Sequence, residues 1–86
     1  MSAKEMFEEL GYEQTKLKKF VKYTYKKYIS NWYHIMFDLE EKTIDCYISN
    51  DSPFSPPEPF STTINELKAI NKQVEELGWN NEGKRA

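Results

Sequence analysis

The sequence predicts an α+β fold: a helix, a three-stranded antiparallel meander and a second helix (αβββα), with both helices packed on one sheet face. Three observations carry this expectation. Apolar residues recur with helical period at the two ends of the chain. They alternate with period 2 through the middle. The breaks between the alternating runs are too short for a crossover and suit hairpins.

The first helix is read over Ser2 to Leu10. Ala3, Met6, Phe7 and Leu10 make one apolar stripe at i, i+3, i+4 and i+7. Ser2 caps the start, and Glu5 three residues later completes a capping box. Gly11 suits the left-handed residue that ends the helix, with Tyr12 folding back over Phe7.

Three strands follow. In Phe20 to Tyr28, Val21, Tyr23 and Tyr25 alternate against Lys22, Thr24 and Lys26. In Trp32 to Leu39, Tyr33, Ile35, Phe37 and Leu39 alternate against Trp32, His34, Met36 and Asp38. In Thr43 to Ser49, Ile44, Cys46 and Ile48 alternate against Thr43, Asp45 and Tyr47. The expected core face carries Tyr33, Ile35, Phe37, Leu39, Ile44, Cys46 and Ile48. The opposite face presents Lys22, Thr24, Lys26, Trp32, His34, Met36, Asp45 and Tyr47.

Asn50 to Ser61 holds all four prolines (Pro53, Pro56, Pro57, Pro59) and reads as an extended, exposed loop. Thr63 caps the second helix, with Glu66 at the third position. Ile64, Leu67, Ile70, Val74 and Leu77 form its stripe, and Gly78 stops it with Trp79 packing back toward Val74. One domain is expected over 1–79, followed by a flexible polar tail over 80–86.

Composition narrows the function. A chain of 86 residues is one domain with a compact core. Six Tyr, five Phe and two Trp supply much of the burial, at roughly 150–250 Å² per ring. The single cysteine, Cys46, permits no internal disulfide and no cysteine-based zinc site. No run approaches the ~20 apolar residues of a membrane span, and the first ten residues do not read as a signal peptide. A cytoplasmic domain is expected, with no membrane association. His34 is the only histidine, with no second ligand at metal spacing, and no glycine-rich phosphate loop is present. Neither a metal, a cofactor nor catalysis is expected.

The net charge is −2, but it is unevenly placed. Thr15 to Phe37 holds six lysines and no acid, so this segment is +6 and the remainder −8. Lysines on an edge strand block edge-to-edge aggregation, which is one reading of Lys22 and Lys26. Lysines interleaved with aromatics also suit phosphates and bases, which makes nucleic acid the alternative partner. The Pro53 to Pro59 run contains Pro-x-x-Pro spacings of the kind that dock in aromatic grooves. Binding is assigned to Lys22, Lys26, Trp32, His34 and Tyr47, because aromatic side chains anchor interfaces and the face they share has no cover in the expected fold. Trp32 and Met36 lying under the long helix or the proline loop is the structural alternative.

The segments Met1-Ser-Ala-Lys-Glu-Met-Phe-Glu-Glu-Leu-Gly-Tyr12, Phe37-Asp-Leu-Glu-Glu-Lys-Thr-Ile44 and Glu66-Leu-Lys-Ala-Ile-Asn-Lys-Gln-Val-Glu-Glu-Leu-Gly-Trp79 resemble small accessory proteins of phages and prophages of Gram-positive bacteria. That resemblance covers both helices and the second hairpin. It implies a binding protein that engages a host or phage protein, inhibition of a defence system such as a CRISPR effector being its sharpest form. The element order also resembles the double-stranded RNA-binding fold. Where that fold has a lysine cluster, this chain reads Thr62-Thr63-Ile64-Asn65-Glu66. A monomer, or a homodimer joined through the apolar strand Thr43–Ser49, fits either reading.

Overall fold

The computed structural model describes residues 1–27, 30–52 and 54–79. The expected tail 80–86, together with Tyr28, Ile29 and Pro53, lies outside the described residues. The elements are α1 (Ala3–Glu9), β1 (Glu13–Lys16), β2 (Phe20–Lys26), β3 (Asn31–Asp38), β4 (Thr43–Asn50), β5 (Glu58–Pro59) and α2 (Ile64–Glu76).

The sheet has five strands in sequence order, each antiparallel to its neighbour. This corrects the expected three-stranded meander. The three long strands are present, and a short strand flanks them on each side. Alternation could not reveal β1, whose residues are all polar and of which only Gln14 is half-buried. Its pairing comes from a tight turn, in which Leu17 N–H donates to the Phe20 carbonyl at 2.9 Å. The β5 segment is two residues inside the proline run, with Glu58 opposite Ile48 and Pro59 opposite Tyr47. Proline is tolerated there because an outermost strand has a free side.

Two expectations about edges fall with the flanking strands. The lysine-bearing strand is internal, since β1 pairs along it from Thr24 to Val21. Edge protection therefore does not explain Lys22, while Lys26 lies beyond the end of β1. The strand Thr43–Ser49 is likewise paired at Tyr47 and Ile48 and is no fully open edge for a homodimer.

Both helices cover the face that carries Val21, Tyr23, Ile35 and Phe37. Phe7 of α1 stacks on Tyr23 with centroids 3.8 Å apart and meets Phe37 edge-on. Ala3 and Ala69 are fully buried, small side chains in a structure where the two helices pack together. The Ala3 N–H, unpaired within α1, donates to the Glu76 carboxylate of α2 at 2.8 Å. Of the expected core, Ile35 and Phe37 are buried, and Tyr33, Leu39 and Cys46 pack against it half-exposed. Ile44 is 37% exposed.

The helix ends follow the sequence. Both capping boxes form, at Ser2 with Glu5 and at Thr63 with Glu66. Gly11 and Gly78 have φ of +93° and +77°. Tyr12 folds back on Phe7, its N–H bonded to the Phe7 carbonyl at 3.0 Å. Trp79 reaches the Phe37 ring. Ile70, Val74 and Leu77 of the expected α2 stripe pack on the core, and its first two residues do not. Ile64 and Leu67 are 68% and 44% exposed, while Ala69, Ile70 and Gln73 are buried. The helix is turned so that Glu66 meets the Tyr12 hydroxyl and Gln73 meets that of Tyr23. Satisfying two buried phenols outweighs covering two peripheral aliphatic side chains.

Gly11 supports a wall as well as a turn. A Cβ there would lie 2.8 Å from Tyr25 Cε2 and 3.0 Å from Tyr25 Cδ2. Gly11→Ala is expected to cost about 2–4 kcal/mol, combining a left-handed alanine with overpacking. Gly78→Ala meets nothing within 4 Å and is expected to cost only about 1–2 kcal/mol. Urea denaturation of the two variants beside the parent checks the difference.

Candidate binding face

The strand register fixes the face opposite the helices as a grid. One row runs Thr15, Lys22, Met36, Asp45. The next runs Glu13, Thr24, His34, Tyr47, Pro59. A third runs Lys26, Trp32, Ser49. All five residues singled out in the sequence thus share one face: Lys22, Lys26, Trp32, His34 and Tyr47. Neither helix covers Trp32 or Met36, which disposes of the long helix as their cover.

The aromatic and cationic groups are paired within the face. The Lys26 ammonium lies 5.2 Å from the Trp32 ring, and that of Lys22 lies 5.8 Å from Phe20. Such contacts hold long side chains in place and keep their charge exposed at the rim of an apolar surface. His34 stacks on Tyr47, with centroids 4.6 Å apart and planes at 17°. Beside them, Met36, Tyr47, Pro57 and Pro59 line a shallow groove of about 490 Å³. Pro57 and Pro59 therefore border this face. Phe54, at the segment's tip, is 92% exposed.

His34 Nε2 and Ser49 Oγ are 2.6 Å apart, while Nδ1 is buried without a partner. An orphaned N–H is the costlier arrangement, so Nε2–H donating to Ser49 is favoured. Burial, and secondarily the charge of Lys22, pushes the His34 pKa below its ordinary value. Protonation would add a second N–H at the unpartnered nitrogen. A hydroxyl against an imidazole is the beginning of a nucleophilic pair, but among the described residues no third group orients the ring. The Cys46 thiol is pushed up by burial, then by Glu66 and Asp45, and stays protonated at neutral pH.

The six-lysine segment does not form one basic surface. Lys22 and Lys26 lie on the open face, and Lys18 and Lys19 fall in the turn before β2. Lys16, opposite Val21, belongs to the helix-covered side. Lys27 lies over the Tyr33 ring, also on the helix side. Asp45 shares a row with Lys22, and Glu13 lies in the next row.

Sequence reasoning missed Ser49, the groove and the contribution of Pro57 and Pro59. Ser49 carried no signal apart from its register opposite Trp32. The groove depends on β5, which two residues cannot announce. Among the described residues, no three His, Cys, Asp or Glu side chains gather as a metal site, and no helix is long and apolar enough to cross a membrane. Comparison with protein-family models, with curated proteins and with solved structures gives no match.

The His34 environment sets a pH dependence. Its folded pKa lies below the unfolded value of ~6.5, so the unfolded chain takes up the proton first. The contribution of neutral His34 is fully present above that value. It is lost as pH falls from that value through the lower folded pKa. His34→Gln should flatten stability over that interval, as read from denaturation midpoints at each pH.

Proposed function

We propose that the protein is a binding domain that engages another protein through the open face of its sheet. The observation that carries this reading is the grid of half-buried Trp32, His34, Met36 and Tyr47 on the face that neither helix covers, rimmed by Lys22 and Lys26. Aromatic and methionine side chains at the centre with charge at the border are the make-up of an interface. The pairing of β1 along β2 supports it, because edge protection no longer accounts for Lys22. Dispersal of the basic segment over two faces and a turn favours protein over nucleic acid, which needs a continuous track of phosphate contacts. The resemblance to phage accessory proteins gives the sharper form: the partner is a host or phage protein, with inhibition of a bacterial defence system as the outcome.

The test is a pull-down from bacterial lysate treated with nuclease and repeated in high salt, with parent and Trp32→Ala, Lys22→Glu baits in parallel. One stoichiometric protein retained by the parent and lost by the variant is expected. Trp32→Ala alone should weaken that complex by about 2 kcal/mol, roughly thirtyfold, as an interface anchor does. Lys26→Ala should act mainly on the association rate and its salt dependence. Recovery of nucleic acid alone, lost on nuclease treatment, sinks the reading. So does full capture by a folded double variant.

A further inference from the structure

The two outer edges of the sheet differ. On one side β1 is four polar residues, Glu13–Lys16, with a charge at each end, and short charged strands are how edges are kept from pairing. On the other side β5 covers only Tyr47 and Ile48 of the eight-residue β4. Among the described residues no strand lies beside Thr43, Ile44 and Asp45, and all three are exposed. The register shows which backbone groups are left over. Pro59 has no N–H, so it and Tyr47 make a non-hydrogen-bonded pair. Ile48, Cys46 and, by the period of 2, Ile44 therefore turn their N–H and C=O outward. Those of Ile44 lie beyond the end of β5. The shallow groove of about 490 Å³ opens at the same place, with Asp45, Tyr47 and Pro59 among its walls.

We propose that the free edge of β4 takes an extended segment of the partner protein as a further antiparallel strand, with a Lys or Arg opposite Asp45. This rests on the reading of the molecule as a protein-binding domain, and it names the form in which the partner is held. Main-chain bonds to Ile44 supply the attachment, as in strand addition generally. Side chains of an added strand alternate between the two faces. The residue opposite Asp45 falls on the open face, in line with Pro59. Its methylene stem lies over the groove and its charge meets the carboxylate. The residue opposite Ile44 falls on the helix side, against an aliphatic side chain that is 37% exposed. Around the edge Glu41 and Glu58 are exposed as well, against one lysine, Lys42, while Glu40 already meets Lys19 at 3.9 Å. A basic strand complements this border. A second copy of the chain does not fit, because twofold pairing at Ile44 would drive β5 of each copy into the lane of Glu40 and Glu41 of the other.

The test is NMR titration of the full chain with three capped tetrapeptides. They are acetyl-Lys-Val-Thr-Val-amide, the same peptide with Glu for Lys, and the Lys peptide with its first valine N-methylated. In the antiparallel register the lysine faces Asp45 and the first valine faces Ile44. The Lys peptide should saturate, with the largest shifts at Ile44 and Asp45 and slowed exchange of the Ile44 N–H. The Glu peptide should bind about fivefold more weakly or worse, the effect of reversing a cross-strand charge pair. N-methylation should cost about tenfold or more, since it removes a main-chain donor and leaves its acceptor unpaired. Asp45→Asn should bring the Lys and Glu peptides within about twofold of each other and leave the N-methyl loss unchanged. Trp32→Ala should bind the Lys peptide as the parent does. Binding that survives N-methylation, or that is equal for the Lys and Glu peptides, overturns the proposal. So does an absence of saturation by about 20 mM peptide, or a parent chain that sediments as a dimer with its Ile44 N–H already protected. The two readings fail separately. A partner captured through Trp32 with no peptide binding overturns strand addition alone, and peptide binding with no such partner leaves strand addition standing and overturns the open face.

Discussion

The hydroxyl of Tyr23 is the constraint around which this molecule is arranged. Tyr23 is fully buried at the centre of the sheet, with Phe7 stacked on its ring. A buried phenol without partners is costly, and this one has two. It donates to the Gln73 side chain and accepts from Gln14 Nε2 at 3.0 Å. Those contacts join β2 to α2 and to β1, while the ring joins it to α1. Burial and the nearby acids push its pKa up, so it remains a donor through any physiological pH.

Much of the geometry follows. Gln73 must face the sheet, so α2 buries a polar side chain and leaves Ile64 and Leu67 outside. The same rotation brings Glu66 over Tyr12 and sets Ala69 in the core. Gln14 ties the polar β1 to the sheet, which converts β2 from an edge to an internal strand. The open face is the other side of this arrangement. Both helices are committed to the side where Tyr23 points, so neither covers Trp32, His34 and Tyr47.

The legible part of the fold was written in local patterns. Ser2 with Glu5 and Thr63 with Glu66 announce helix starts because capping acts over three residues. The alternation from Val21 to Ile48 announces three strands and sorts their side chains into two faces, so the five candidate residues could be placed together. The remainder depends on contacts distant in sequence. Gln14 meets Tyr23 nine residues on, and Gln73 meets it fifty residues on. A hydrophobic period assigns Gln73 to the solvent side of α2, since the pattern carries no record of which hydroxyl needs an acceptor. Glu58 and Pro59 carry no strand signal at all, because two residues cannot show a period and proline argues against one.

The same constraint explains why a cavity lined by Tyr12, Tyr25, Tyr33, Phe60 and Glu66 opens on the side of the sheet away from the open face. Side chains alternate, so β2 sends Tyr23 and Tyr25 to the helix side and Lys22, Thr24 and Lys26 to the open side. On the helix side, Phe7 and Gln73 complete the enclosure of Tyr23. Tyr25 lies one step further along, beside Gly11, where α1 has already ended. There α2 is only beginning, and its first turn is occupied by a capping box with a polar carboxylate. The aromatic run continues past the point where the helices can cover it, and Tyr33 and Phe60 extend it. An aromatic-lined opening at that end is thus a consequence of where the two helices stop. The acid that shapes it, Glu66, is held in place by the cap it completes.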